Sequence, residues 1–263
     1  MWLVVVSAML VLLCRPVASQ QFEQLDPTEW RNTLTVYLWL PALDGDVTVR
    51  DRTAHVNSSI SDAWDAIANL ESGLTLHYEG SKGPATLIAD ILYMKLKAGA
   101  TLGPGDGANI TVRPSETIAE LAEAYTVSKW MRGGSVAGDT QILGGLRYTN
   151  LGMSLSADLP ELTFSASGRR WWIDPFLGAR YRQVLSPRWA YSVRGDIGGF
   201  GIGTASHFVW NVILDARYGL SHQWGIDMGW RWLDYNYSTG SGSDEFAYDL
   251  LMNGPFLGFS YGF

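Results

Sequence analysis

Along most of this chain hydrophobic side chains recur at every second position, the period that sends alternate residues of a β-strand to opposite faces. From Trp171 to Leu185 the odd positions hold Trp171, Ile173, Leu177, Ala179, Tyr181 and Leu185, while the even ones hold Asp174, Gly178, Arg180 and Arg182. The next run sets Trp189, Tyr191, Val193 and Ile197 against Ser192, Arg194 and Asp196. A third alternates Phe208, Trp210, Val212, Leu214, Ala216, Tyr218 and Leu220 with Asn211, Asp215 and Arg217. The fourth places Trp224, Ile226, Met228, Trp230 and Trp232 opposite Asp227, Gly229 and Arg231. All nine charged residues of these four strands share a face with no large apolar side chain of the alternating set, so each strand has a greasy side and a charged side.

Weaker alternation marks Leu34 to Leu40, Gly73 to Glu79, Ala85 to Lys97, Ile110 to Val127, Asp139 to Thr149 and the run from Phe246 to the end. Connections at Gly80 to Gly83, Leu185 to Arg188 and Ser221 to Gln223 are short; those at 41–72, 98–109, 150–170 and 237–245 are long and rich in Gly, Ser, Asp and Pro. Tight turns at one end and long loops at the other predict an all-β, antiparallel up-and-down β-barrel of about ten strands, within a range of about eight to twelve.

Alternation alone allows the apolar face to point inward, as in a soluble periplasmic ligand-binding barrel, or outward into lipid. Composition decides for lipid. A soluble protein covers itself with roughly 25 to 35% charged residues, whereas this chain has 17%, with only four lysines, Lys82, Lys95, Lys97 and Lys129. The apolar-face aromatics also lie at two levels, with Trp189 and Trp224 by the short turns and Trp171 and Trp232 by the long loops, as in the girdles of a transmembrane barrel. Lipid offers no hydrogen bonds, so such a sheet has to close on itself. The last strand then needs the first as its partner, with Leu257, Phe259, Tyr261 and Phe263 outside and Gly258, Ser260 and Gly262 inside.

Trp2 to Cys14 form an apolar run, followed by Arg15, Pro16 and the small residues Val17, Ala18 and Ser19, which reads as a secretory signal. The expected organisation is a signal peptide at 1–19, a periplasmic segment at 20–30 and the barrel at 31–263. Cys14 is the only cysteine and goes with the signal, so the processed chain has no disulfide or thiol nucleophile. Losing Arg15 leaves 18 of the 19 basic residues against 26 acidic ones, a balance that disfavours nucleic acid as a partner.

The charged faces place Asp90, Glu120, Arg147, Asp174, Arg180, Arg182, Arg194, Asp196, Asp215, Arg217, Asp227 and Arg231 in the lumen, where burial requires them to pair. In the first long loop, Ser59 to Glu71 carries Ile60, Trp64, Ile67 and Leu70 at helical spacing behind a capping serine, which predicts a short helix. Catalytic signals are thin. Gly258-Phe259-Ser260-Tyr261-Gly262 matches a nucleophile elbow in letters only, since no helix or histidine can follow it. His55, His77, His207 and His222 lack metal-ligand spacing. No catalytic residue, metal or cofactor is assigned, and His207, near the long-loop end of its strand, is the one position to test for an enzyme acting on lipid or peptide at the extracellular rim.

The phrases TVYLWLPALDGDVTV, WIDPFLGARYR, SVRGDIGGFG, WRWLDYNY and GPFLGFSYGF resemble a family of bacterial outer-membrane β-barrel proteins of undefined biochemistry, over Thr33 to Phe263. The closing Phe259, Tyr261 and Phe263 resemble the signal read by the bacterial barrel-assembly machinery. The resemblance implies an outer-membrane location, with lipid and that machinery as partners. The expected role is passive, a small pore or a structural envelope protein with a charge-paired lumen.

Overall fold

The computed structural model describes residues 28–50, 52–102, 108–132, 135–159 and 162–263. The segment read as a signal peptide, with Cys14, most of the 20–30 segment and the glycine-rich 103–107 stretch lie outside them. Thirteen strands pair in one sheet: β1 (Arg31–Trp39), β2 (Ala42–Val49), β3 (Arg52–Ser58), β4 (Leu70–Lys82), β5 (Ala85–Leu96), β6 (Ala98–Leu102), β7 (Ala108–Arg132), β8 (Ser135–Leu159), β9 (Leu162–Val184), β10 (Trp189–Gly199), β11 (Phe208–Gly219), β12 (Trp224–Thr239) and β13 (Phe246–Gly262). One helix, α1 (Ile60–Ile67), stands between β3 and β4.

Ten of the strands close into an antiparallel barrel. The order runs β1, β4, β5 and β7 through β13, and β13 pairs back onto β1 from Trp39 opposite Phe256 to Thr33 opposite Gly262. The chain end is held as the alternation requires: Asn32 N–H donates to the Phe263 carbonyl at 3.1 Å and Phe263 N–H to the Asn32 carbonyl at 2.9 Å. Each segment read as a barrel strand from its alternation is one, and the count of ten stands.

The short turns on one side share a local device. Leu185-Ser186-Pro187-Arg188-Trp189 and Leu220-Ser221-His222-Gln223-Trp224 have the same Leu, Ser and Trp placement. In each, the leucine N–H donates to the tryptophan carbonyl at 2.9 Å. The serine hydroxyl accepts from the tryptophan N–H, at 3.2 Å in the first and 3.1 Å in the second. A serine that bonds the backbone two or three residues on closes the turn and leaves the tryptophan at the foot of its strand.

The long-loop side holds more strand than the alternation predicted. The 150–170 segment, read as a loop, is largely the continuation of β8 and β9. With β7 they run 25, 25 and 23 residues for β7, β8 and β9, far beyond the roughly 9 to 11 a tilted membrane strand needs. They therefore project past the membrane, where no alternation is required. The 41–72 loop likewise contains the β2–β3 hairpin. β1 and β2 together line β13 in one unbroken register, interrupted at Leu40 and Pro41, where Leu40 N–H donates to the Pro255 carbonyl at 3.0 Å. Gly254 fits this junction because a Cβ there would stand 1.9 Å from the Leu40 carbonyl oxygen.

Helix α1 forms as its cap predicts. The Ser59 hydroxyl accepts from Asp62 N–H at 3.3 Å, and the Asp62 carboxylate accepts from Ser59 N–H at 2.7 Å, a reciprocal capping box. The Ser59 N–H and hydroxyl hold the exposed Asp62 carboxyl below its ordinary range. None of the helix is buried and Trp64 is 60% exposed, so α1 lies on the outside of the barrel rather than in its lumen.

If closure between β1 and β13 makes the wall, removing residues 257–263 is expected to abolish the compact form, read as loss of the heat-dependent gel shift of detergent-extracted protein. A truncated chain that keeps the shift contradicts closure.

Candidate functional site

The faces fall as the alternation placed them. Leu177 on the outer face is 65% exposed, whereas Arg147 and Asp174 on the inner face are fully buried. This orientation excludes the soluble barrel with an apolar interior. Outside, aromatic side chains pack on one another toward both ends of the strands. Beside the short turns Trp189 packs on Tyr218 at 4.9 Å, and Trp224 lies against Phe259 and Tyr261 at 5.0 and 4.5 Å. Trp130 stacks on Tyr181 at 4.9 Å, turned outward by strand irregularities at Thr126/Ser128 and Trp130/Met131. Toward the loops, Trp171 meets Tyr148 and Trp232 meets Trp230. The three acids on the greasy face sit near its margins. Glu123, cross-strand from Leu87, lies close to the short β4–β5 turn, and Asp234 and Asp249 lie on the loop side.

Inside, Glu120 is the hub. Its Oε1 accepts from Arg147 Nε at 2.9 Å and Arg231 Nη2 at 2.7 Å, and its Oε2 from Arg194 Nη2 at 2.9 Å. Asp196 ties the same cations together, accepting from Arg147 at 2.7 Å and meeting Arg194 at 2.9 Å, while Asn211 bridges Asp196 to Arg231. Two of the guanidiniums, Arg147 and Arg194, also lie over the Phe176 ring at 5.0 and 5.4 Å.

A second group lies nearer the short turns. Arg182 forks onto Asp139 through two bonds of 3.0 and 2.8 Å, Arg180 bonds Glu79 and Gln141, and Arg217 donates to Asp227 at 2.6 Å. His77 links the groups: Nδ1 is 3.0 Å from Asp90 and Nε2 is 3.2 Å from Glu79. Two carboxylates on one ring favour its protonated form, in which both nitrogens donate. Inside stand Arg147, Arg180, Arg182, Arg194, Arg217, Arg231 and His77 with Glu79, Asp90, Glu120, Asp139, Asp174, Asp196, Asp215 and Asp227, and Glu116 accepts from the Tyr248 hydroxyl toward the loops, so the acids outnumber the bases.

Two of the twelve residues placed in the lumen stand apart from this pairing. Asp174 accepts instead from Ser206 N–H at 2.6 Å, Ser206 Oγ at 3.0 Å and Trp172 Nε1 at 3.0 Å, pinning the β10–β11 loop into the barrel mouth. Asp215 makes no hydrogen bond or ion pair among the described residues. Sequence reasoning missed His77, Glu79, Asp139 and Gln141, although their odd or even positions on strands already identified put them on the inner face.

It also missed that the loop-side half of the interior is apolar. Trp172 stacks on Tyr237 at 4.1 Å and 10°, Tyr235 meets it edge-on at 5.8 Å, and Trp39, Tyr248, Leu250 and Met252 complete the cluster. Along these strands large apolar residues occupy both faces, so period-two reading assigns them no side. The Tyr235 hydroxyl is satisfied by Thr149 at 2.8 Å, as a buried phenol requires.

A closed wall with an apolar belt, aromatics toward both strand ends and a charge-paired interior suits one solvent arrangement, lipid outside and protein inside. This is the architecture of a membrane-spanning β-barrel. No family model matches the chain, and no curated protein matches it. Among solved structures it is similar to the translocator domain of the autotransporter NalP from Neisseria meningitidis, at 14% identity and a TM-score of 0.47 over 89% of this chain and 88% of that one. It is also similar to Ail, the attachment invasion locus protein of Yersinia pestis, at 9% and 0.35 over 90% and 99%. The toluene transporter TbuX of Ralstonia pickettii follows at 10% and 0.34, over 89% of each chain.

Replacing Glu120 by Gln leaves three buried guanidiniums short of their shared charge. A loss of about 3 to 5 kcal/mol is expected, measured as a lowered urea midpoint in micelles, whereas Glu123→Gln on the exposed rim should change it by no more than about 0.5 kcal/mol.

Proposed function

We propose that this barrel is a structural envelope protein with a closed lumen rather than a diffusion pore. One observation carries the reading. Side chains lining a water-filled channel keep accessible surface, but Arg147, Phe176, Gln141, Asn211, Trp172 and Tyr235, which come from four different strands and point inward, are each under 2% exposed. The charge layer and the aromatic layer lie one behind the other along the axis.

The outer belt takes outer-membrane lipid as its solvent, and the strand ending in Phe259, Tyr261 and Phe263 serves as the assembly signal. We read the protein as without catalytic activity. His207 is exposed, and its Nε2 lies 2.8 Å from Ser238 Oγ. No carboxylate pairs with it among the described residues, so the third member of a hydrolytic triad is lacking there.

In planar bilayers the purified protein is expected to give no stable single-channel steps above the membrane leak. Reproducible steps from the unmodified protein would overturn the closed-lumen reading.

A further inference from the structure

Between the charge layer and the short-turn mouth the barrel interior is open. A cavity of about 260 Å³ lies there, reaching Gly138, Arg182 and Ala190 near the turns. The strand register explains the space. In one row across β10, β11 and β12 stand Ser192, Asp215 and Gly229, and Gly258 faces Asp227 in the next. One row deeper, Arg194, Ile213 and Arg231 fill the lumen.

Several polar groups on these walls lack partners. Asp215 makes no hydrogen bond or ion pair among the described residues. Asp227, buried to all but 3%, uses Oδ1 to accept from Arg217 and leaves Oδ2 without a donor, and Arg194 leaves Nε without an acceptor. The Arg217 side chain is 35% exposed and donates through Nε, which leaves its terminal nitrogens for a further acceptor. Buried polar groups are ordinarily satisfied, and this arrangement asks for a donor on one side and an acceptor on the other. Asp215 stands on one side and the terminal nitrogens of Arg217 on the other, so a molecule bearing both signs meets a partner for each. Ile213 and Phe256 supply an apolar wall.

We propose that this cavity is a binding site for a small zwitterion, an α-amino acid or dipeptide with an apolar side chain, received from the periplasmic side. Its ammonium donates to Asp215, its carboxylate accepts from the terminal nitrogens of Arg217, and its side chain packs on Ile213 and Phe256. The site lies on the periplasmic side of the plug and does not depend on whether the lumen conducts.

Calorimetry on the full protein refolded in micelles tests this with L-leucine, N-acetyl-L-leucine and L-leucinamide, which carry both charges, the negative one and the positive one. Saturable binding of L-leucine is expected, roughly tenfold or more tighter than either blocked form. Asp215→Asn, which breaks no existing bond, should weaken it by a similar factor while keeping the heat-dependent gel shift. Ser192→Leu fills the same space without altering charge and should abolish binding. Absence of saturable L-leucine binding, equal binding of the blocked forms, or unchanged affinity in a folded Asp215→Asn or Ser192→Leu variant overturns the proposal. Should both variants fail to fold, the comparison of the three ligands on the unmodified protein decides it.

Discussion

Lipid cannot hydrogen-bond to a peptide group, and the rest of this structure follows from that. Every strand edge exposed to acyl chains would leave a row of N–H and C=O groups unsatisfied, so the first and last strands have to find each other across the whole sequence. The pairing of β1 with β13 meets that demand, and it carries through to Phe263, which is held to Asn32 by two backbone bonds. The same pairing fixes which face of β13 is outside, because a slip of one residue would turn Phe259 and Tyr261 into the lumen and Gly258 and Ser260 into lipid.

Closure with ten strands makes a narrow tube, and a narrow tube has to be filled or wetted. The chain does both. Across the middle the filling is ionic, and Glu120 accepts from three arginines that have few other acceptors within reach. Toward the loops it is aromatic, with Trp172 as the largest fully buried side chain. Near the short turns, small residues in the Ser192 row leave the space open, with Asp215 and Arg217 on its wall. Packing density along the axis thus divides the interior into an occluded part and a receptive part.

Much of this was legible in the sequence. The nine charges of the four clearest strands fixed the inner and outer faces from Trp171 to Trp232, the spacing of turns gave the number of strands, and the tryptophans beside the turns marked the two interfaces. These readings succeed because membrane and lumen are opposite solvents on the two sides of one strand, and period-two alternation is the direct record of that difference.

Where the two sides stop being different, the record fades. Beyond the membrane the outer parts of β8 and β9 need no alternation and read as loop, and the β2–β3 hairpin was hidden in the same way. Alternation likewise names a residue's face but not its partner: it put Asp174 and Arg147 in one lumen, where they stand directly opposite across β8 and β9, yet Asp174 bonds Ser206 and Arg147 bonds Glu120 and Asp196. The sequence by itself determined the side of the wall on which each residue of the clear strands stands, because that depends only on local period. The tertiary structure alone decided which charges meet, where the lumen is blocked and where a cavity remains, because those depend on register between strands far apart in the chain.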